Sequence, residues 1–467
     1  MDWNIENYIK PGACVHLVGV GGVSMAPLAE VLKGKGVEVT GSDMQESGTV
    51  DHLRTLGIPV TIGHRPESVA QAGCVIRTAA VHDDNLEIAA ARSAGIPVFE
   101  RAQAWGAIMR HYPNALCVAG THGKTTTTSM CTHIFLAADR DPSVMIGGTL
   151  PILGAGHRVG HGDTIIAESC EYCNSFLSFA PTVAVVLNVE ADHLDFFKDL
   201  EDIQASFRAF GALVPERGHV VVNGDNKNAM EAMSGCGRPL FRFSLLDKTA
   251  DCYRDHITWE RGLPSFDIIV RGEKYAHAAL RVGGEHNIAN ALAAASAAWV
   301  LGVPGKAVEE GLNGFTGAGR RFERKGGYHG AEVYDDYAHH PDELRALLTM
   351  ARSLGFRRLL CAFQPHTYSR TAALFNEFIA ALRLADVVVL AEIFPARETD
   401  TLGMSSAKLA EFLPGAVCCA SLEGVTAHLA ELAQPGDLIL TVGAGDIYLA
   451  GEALVEAGKI ISFSLLI

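Results

Sequence analysis

At 467 residues the chain is too long for a single hydrophobic core and sets an expectation of about three domains. A hydrophobic fraction of 48% with 19% charged residues excludes a disordered chain. The net charge of −15 argues against nucleic acid or an anionic membrane as partner, so anionic ligands must be held by local glycine turns and a few cations.

The start, Met1-Asp2-Trp3-Asn4-Ile5-Glu6, has neither the basic end nor the apolar stretch of a secretory signal. No apolar run reaches the roughly 18 residues that a membrane span needs. Residues 1–110 then alternate short apolar runs with helical stretches, the pattern of a parallel α/β sheet. Cys14-Val15-His16-Leu17-Val18 reads as the first strand, followed by the turn Gly19-Val20-Gly21-Gly22-Val23-Ser24-Met25. A helix runs through Leu32, and Val37-Glu38-Val39-Thr40 reads as a second strand ending at Gly41-Ser42-Asp43. Such a turn brings backbone close to a diphosphate, and an acid after the second strand receives a ribose or base. Ser24 stands where the dinucleotide fingerprint has its third glycine, which points away from NAD and toward another nucleotide diphosphate.

Turn formers cluster at His111-Tyr112-Pro113-Asn114, and a second block, residues 111–318, begins there. The apolar strand Ala115-Leu116-Cys117-Val118 leads into Ala119-Gly120-Thr121-His122-Gly123-Lys124-Thr125-Thr126, with a helix expected over Thr127 to Ala138. Strand, glycine turn, lysine and hydroxyl, helix is the order that cradles a nucleoside triphosphate. Backbone N–H groups and the positive helix end hold phosphate, Lys124 adds a mobile charge, and the Thr125 hydroxyl suits magnesium. The usual first glycine of that motif is replaced by Val118, so this is a variant P-loop.

Further buried strands are expected at 164–167, 183–187 and 219–222. The first runs into Glu168-Ser169-Cys170-Glu171 and the second into Asn188-Val189-Glu190-Ala191-Asp192-His193-Leu194-Asp195, strand ends where such sheets gather catalytic groups. Oxygen from Thr125 and Glu171 suits a hard ion that bridges phosphates, with His193 a less usual ligand. On local sequence alone Asp192-His193 reads first as a surface turn; beside a P-loop the functional reading takes the larger share. Cys170-Glu171-Tyr172-Cys173 is formally a C-x-x-C, open to a redox or zinc reading, but no second pair lies near it among the eleven cysteines. His286-Asn287-Ile288-Ala289-Asn290 opens an alanine-rich helix; the two asparagines either hydrogen-bond an adenine edge or cap the helix.

The third block, residues 319–467, follows a turn-rich segment, Gly314 to Gly319. Arg320-Arg321 either closes over phosphate charge or forms an exposed hinge. Strands are expected at 332–334, 359–363, 386–390 and 438–441. Asp335-Asp336-Tyr337-Ala338-His339-His340-Pro341 and Gln364-Pro365-His366-Thr367-Tyr368-Ser369-Arg370 concentrate polar groups at strand ends, and Gly443-Ala444-Gly445-Asp446 is another glycine turn.

Taken in order, these motifs resemble the Mur ligases, the ATP-dependent amino-acid ligases of bacterial cell-wall synthesis. The P-loop Gly120–Thr126 is similar to that family's own short form, and the opening turn is similar to that of the members that add alanine. The resemblance implies an α/β chain of three domains. These are a Rossmann-like UDP-sugar domain (1–110), a P-loop-type central ATPase domain (111–318) and a Rossmann-like amino-acid domain (319–467). It implies ATP and magnesium, with two ions, as cofactors, and UDP-N-acetylmuramate and L-alanine as substrates in the cytoplasm. Gly21, Gly22, Ser24, Ser42, Asp43 and His64 would line the UDP site. Gly120, Thr121, His122, Gly123, Lys124, Thr125 and Thr126 would hold the ATP phosphates with Arg320 and Arg321, and His286, Asn287 and Asn290 would meet adenine. Thr125, Glu171 and His193 would organise magnesium, while Tyr337, His339 and Arg370 would face the alanine and the reacting carboxylate. Lys124, Glu171, His193, Arg321 and His339 would then carry the chemistry.

The chain departs from that family in places. Many relatives have Glu-Ala-Asp-Glu-Ser-Asp where this chain has residues 168–173, and many have an arginine at the place of Thr367. Sister ligases use a carbamylated lysine after the Asp-His motif; Asp199 to Arg217 contains none. Neighbouring readings are a ligase that attaches a whole tripeptide to the same sugar, and a nucleotide-binding protein with a fused ATPase.

Overall fold

The computed structural model describes residues 3–78, 81–193, 196–260, 262–396 and 398–464, apart from the side chains of 460–464. Leu194 and Asp195, at the end of the Asp-His segment, and Met1-Asp2 lie outside the described residues.

Near-continuous apolar runs make strands that can be buried on both faces, and such strands pair in parallel with helices as crossovers. The first sheet contains β1 (Cys14–Val18), β2 (Glu38–Asp43), β3 (Val60–Ile62), β4 (Cys74–Arg77) and β5 (Val98–Glu100). Its order is 3-2-1-4-5, and every pairing is parallel. The helices are α1 (Met25–Gly34), α2 (Gly48–Thr55), α3 (Leu86–Ser93) and α4 (Arg101–Met109). The strand order reverses at β1, so the glycine turn after β1 lies at the switch point where such sheets open a crevice.

The second sheet starts with β6 (Asn114–Ala119), which leads through the P-loop into α5 (Lys124–Ala137). It continues through β7 (Ser143–Leu150), β8 (Ala155–Arg158), β9 (Thr164–Glu168), β10 (Val183–Val186), α6 (Leu200–Ala212), β11 (His219–Asn223), α7 (Lys227–Ser234) and β12 (Leu240–Ser244). The segment closes with β13 (Cys252–Glu260), β14 (Leu263–Val270), β15 (Glu273–Ala279), α8 (Glu285–Val300) and α9 (Gly305–Gly314). The order 15-14-13-12-11-10-6-9-7-8 puts the P-loop strand between β10 and β9, both parallel to it. The two polar strand ends read from the sequence therefore flank the P-loop.

The third sheet has the order 16-17-21-18-19-20, from β16 (Glu323–Tyr328), β17 (Ala331–Asp336), β18 (Leu359–Phe363), β19 (Val387–Ala391), β20 (Val417–Cys419) and β21 (Leu438–Val442). Only the β16–β17 hairpin is antiparallel. Its helices are α10 (Pro341–Ser353), α11 (Tyr368–Ala373), α12 (Phe375–Leu382), α13 (Ser406–Ala410), α14 (Leu422–Leu432) and α15 (Tyr448–Ser464). By packing, the chain forms two compact units. One comprises Met1–His256, Phe266–Ala278 and Ile288–Phe315; the other comprises Ile257–Ser265, Ala279–Asn287 and Thr316–Ile467.

Expected and observed strands agree to within a residue or two. The helix after the P-loop differs: it begins at Lys124, three residues before the expected Thr127. Gly123 takes φ 83° and ends the turn so tightly that the lysine is already helical. The four threonines 125–128 have lower helix propensity than alanine, and tertiary packing overrides it. That packing comes from α9. A Cβ on Gly311 would lie 2.5 Å from the Ile134 Cα, so the two helices touch backbone to backbone.

Gly311→Val is therefore expected to push α9 off the P-loop helix and destabilise the protein by about 1–3 kcal/mol. Thermal unfolding beside wild type, with nucleotide binding followed by calorimetry, checks this; an unchanged melting temperature would show that the helices can separate freely.

Candidate functional site

The P-loop is closed by hydrogen bonds from its neighbours. The His122 N–H donates to Asn188 Oδ1 at 2.7 Å, and the Asn188 amide donates back to the His122 carbonyl at 3.1 Å. The Thr121 hydroxyl accepts the Glu190 N–H at 2.9 Å. A Cβ on Gly123 would come within 2.6 Å of Asn290 Oδ1, so α8 packs on the turn at a point only glycine can occupy. The first turn of α5 is thereby held with its N–H groups outward, as an anion-binding helix end requires.

Lys124 lies inside this turn. Its ammonium donates to the Gly120 and Thr121 carbonyls at 2.5 and 3.1 Å and to both Glu171 oxygens at 3.3 and 3.1 Å. Glu171 is 2% exposed. Burial alone would depress the lysine; Glu171 outweighs it and pushes the ammonium pKa up, so Lys124 is charged. The Thr125 hydroxyl donates not to Glu171 but to Glu168 Oε1 at 3.1 Å, and Glu168 Oε2 accepts the Gly147 N–H at 2.7 Å. His193 Nε2 stands 3.9 Å from Glu171 Oε1, and its ring lies 4.7 Å from that of Tyr172. His193, Cys173 and Asn174 all adopt left-handed backbone, with φ of 53–55°, a strain that clusters at functional positions.

A hydroxyl and two carboxylates at a phosphate-binding helix end are the oxygen donors that magnesium takes, with phosphate and water filling its remaining positions. The residues thus fit the ion, with Glu168 as a candidate that the sequence-level ligand set omits. The zinc or redox reading of Cys170 and Cys173 fares less well. Both are free thiols. Desolvation, then Glu171, push the Cys170 thiol up to about 11, far from a reactive thiolate.

At the first sheet, the Gly21 N–H donates to Asp43 Oδ2 at 2.8 Å, so the glycine turn and the end of β2 are joined. The Ser24 hydroxyl accepts from Arg101 on α4. Ser42 and His64 meet: Ser42 Oγ lies 3.1 Å from His64 Nδ1. Both converge on Glu87 of α3, a fully buried carboxylate absent from the sequence-level reading.

The second compact unit holds the remaining candidates. Arg320 and Arg321 behave differently, although they are adjacent. Arg320 donates to Asp335 at 2.9 Å, to the Gly445 carbonyl at 2.9 Å and to the Gly443 carbonyl at 2.6 Å, and is flanked by the Tyr337 and Tyr448 rings. Every nitrogen of its guanidinium is engaged within its own unit. Arg321 has a looser 3.9 Å contact to Glu343 and lies over Tyr337. Asp336, buried and accepting the Phe322 and Ala338 N–H groups, has its pKa raised to about 6 by burial.

His339 Nδ1 lies 3.0 Å from the Tyr337 carbonyl and its ring 5.8 Å from that of His366, which is in turn 3.3 Å from the Arg370 guanidinium. Tyr337, His339 and Arg370 are thus brought into one cluster, with His366 as its centre. Burial first, then the charges of His339 and Arg370, push His366 down to about 4, so it is neutral. Thr367 beside it has φ 69°. Asn287 donates to the Gly283 carbonyl at 2.7 Å, a helix-end interaction. His286 lines a cavity of about 700 Å3 with Trp259, Gly284, Asp342, Arg345 and Met350. Desolvation, then Arg321, push its pKa down to about 4.

Comparison with known proteins covers all three blocks. Family models match in order: the Mur ligase family catalytic domain over residues 14–113, the Mur ligase middle domain over 118–298 and the Mur ligase glutamate ligase domain over 320–445. The UDP-N-acetylmuramate–L-alanine ligase of Acetivibrio thermocellus is 43% identical over 455 residues, 96% of this chain and 97% of that protein. The enzyme of the same name from Lachnospira eligens is 44% identical over 95% of this chain and 98% of its own. Among solved structures, the UDP-N-acetylmuramate-alanine ligase of Thermotoga maritima superposes with a TM-score of 0.80 at 28% identity, over 96% of this chain and 99% of its own. A murein peptide ligase from Psychrobacter arcticus shares the fold with a TM-score of 0.71 at 24% identity, over 96% and 98%.

Lys124→Ala removes the cation from the P-loop and leaves Glu171 a buried, unpaired charge. Nucleoside-triphosphate turnover is expected to fall by more than about a thousandfold, consistent with loss of a charge that stabilises phosphoryl transfer. UDP-sugar binding, measured by calorimetry on the folded variant, is expected to survive. Loss of that binding would place the two ligands on one site.

Proposed function

The chain belongs to the Mur ligase family, and on that premise we propose that it joins L-alanine to the carboxylate of UDP-N-acetylmuramate, converting ATP to ADP and phosphate. The observation that carries this reading is the 43% identity to a relative of that name across nearly the whole chain, beside a P-loop whose lysine is braced by a buried glutamate. Relatives of 43% and 44% identity over nearly the whole chain, both named for alanine, favour alanine over a preformed tripeptide as the incoming amine.

A carboxylate is a poor electrophile because its charge repels an attacking amine. The first step is therefore transfer of the γ-phosphoryl group of ATP to a carboxylate oxygen of the sugar, giving an acyl phosphate and ADP. The α5 N-terminus, the Gly120–Thr126 backbone and Lys124 hold the phosphates and offset charge on the moving group. Magnesium, when bound, neutralises phosphate charge; Thr125 with Glu168 or Glu171, and His193, would hold it. Arg321 is the second cation assigned to phosphate. Adenine is assigned to His286, Asn287 and Asn290, and the uridine diphosphate to Gly21, Gly22, Ser24, Ser42, Asp43 and His64 in a domain spanning 1–110.

In the second step the neutral amine of alanine attacks the acyl carbon, and the tetrahedral intermediate expels phosphate. Tyr337, His339 and Arg370 hold the amino acid, with the Arg370 guanidinium suited to its carboxylate. Positioning does most of the work, because a bound amine competes with water at a high effective concentration.

This reaction sequence has an atomic signature. UDP-N-acetylmuramate labelled with heavy oxygen in its carboxylate is expected to pass one labelled oxygen to inorganic phosphate, with ADP and amide formed in equal amounts. Label kept wholly in the amide, or AMP and pyrophosphate in place of ADP, would exclude the acyl phosphate. Glycine and serine are expected to serve poorly, as one methyl group is worth about 1–3 kcal/mol of discrimination.

The magnesium assignment is separable. Glu171→Gln and Glu168→Gln are each expected to cut activity, and the one that removes a ligand is expected to raise the magnesium concentration needed for half-maximal rate. An unchanged magnesium requirement in both would move the ion elsewhere.

A further inference from the structure

Glu87 is a carboxylate in a place that ordinarily excludes one. It is 0% exposed, in the first turn of α3, and it faces the first sheet. Four groups from three separate segments meet it. The Ser42 hydroxyl at the end of β2 donates to Oε2 at 2.5 Å, and His64 Nδ1, after β3, lies 3.0 Å from the same oxygen. The Arg65 N–H donates to Oε1 at 3.2 Å, and His16 Nε2 of β1 stands 3.7 Å from it. His16 Nδ1 lies 2.8 Å from the Thr40 hydroxyl, while its Nε2 is buried without a hydrogen bond. Burial by itself would raise the Glu87 carboxyl; its interactions with His16 and Ser42 outweigh that and hold it down at about 2. Glu87 is thus ionised and can only accept hydrogen bonds.

That fixes the chemistry of its partners. An acceptor-only carboxylate 3.0 Å from His64 Nδ1 requires the proton to sit on Nδ1. Nε2 is then the one ring nitrogen that His64 can offer a ligand, and the ring cannot flip without breaking this bond. Ser42, itself 0% exposed, spends its proton on Glu87 and lies 3.1 Å from His64 Nδ1, closing the network behind the imidazole. A buried anion is expensive unless its partners satisfy it.

We propose that Glu87 is a positioning residue of the UDP-sugar site: with the buried Ser42 it orients His64, which presents its Nε2 acceptor to the uridine diphosphate moiety. The ligand groups that fit are neutral donors, the uracil N3–H or a ribose hydroxyl. Glu87 touches no ligand itself. The inference rests on the assignment of Ser42 and His64 to that ligand.

Glu87→Gln keeps the shape but replaces one acceptor oxygen with a donor, so that either the Ser42–His64 pair or the Arg65 N–H loses its acceptor and the charge that holds His64 is gone. The variant is expected to raise KM for UDP-N-acetylmuramate at least tenfold, with kcat and KM for ATP and alanine within twofold of wild type. Glu87→Asp keeps the charge one methylene further back and is expected to recover part of the loss. A merely structural role would instead lower stability and shift all these constants together. Nitrogen-15 spectra of the histidines are expected to show the Nδ1–H form of His64 in wild type, and a mixture of tautomers in Glu87→Gln. Calorimetry of wild type with UDP separates the two layers. If wild type does not bind UDP, the site assignment fails and the inference with it. If wild type binds UDP and folded Glu87→Gln binds it equally well, or if wild-type His64 carries its proton on Nε2, the inference alone is overturned.

Discussion

A buried ammonium can stay charged only beside a buried carboxylate, and the pairing of Lys124 with Glu171 is the constraint around which the second sheet is arranged. The lysine belongs to the helix after β6 and the glutamate to the end of β9, so the pair exists only if those strands are neighbours. Asn188, at the end of β10 on the other side, ties down the loop between them. The parallel order of three strands, the tight turn at Gly123 and the close approach of α9 to α5 all serve to hold one cation at the N-terminal end of α5. A chain of net charge −15 can bind several anionic groups in this way because the positive potential is local to the helix end.

Much of this was legible in the sequence because it depends on short-range order. Strand, glycine turn, lysine and helix are consecutive, and the apolar runs of β10 and β18 are uninterrupted. The polar strand ends at Glu168–Glu171, Asn188–His193, Asp335–His340 and Gln364–Arg370 were readable for the same reason, since a parallel sheet leaves its carboxyl ends open. What the sequence could not show was which polar group meets which. Thr125 finds Glu168 and not Glu171, and His366 lies at the centre of a cluster in which only its neighbours had been marked. Such pairings depend on side-chain direction across strands far apart in the chain.

Glu87 illustrates the limit more sharply. In the sequence it is an ordinary acid in the first turn of a helix, where acids are common for reasons of the helix dipole alone. Only the fold shows that it is fully buried, and only its contacts show that the partners are Ser42, His64 and His16. The interior of a parallel sheet is otherwise so uniformly apolar that a single buried anion stands out once coordinates exist.

The tandem Arg320-Arg321 reads as one patch of charge, yet its two members serve different parts of the molecule. Arg320 links Asp335 at the end of β17 to the carbonyls of the glycine turn after β21, a cross-brace between neighbouring strands. A lysine there would retain the charge and lose the bridge, because one ammonium cannot match the planar fork that reaches all three acceptors. Impaired catalysis in an Arg320 variant would therefore report a sprung scaffold before it reported electrostatics at the substrate, whereas Arg321, held only by a 3.9 Å contact to Glu343 and the Tyr337 ring, has no such bracing role to lose. Mutational scans that treat the dipeptide as a unit would average a mechanical failure with a chemical one.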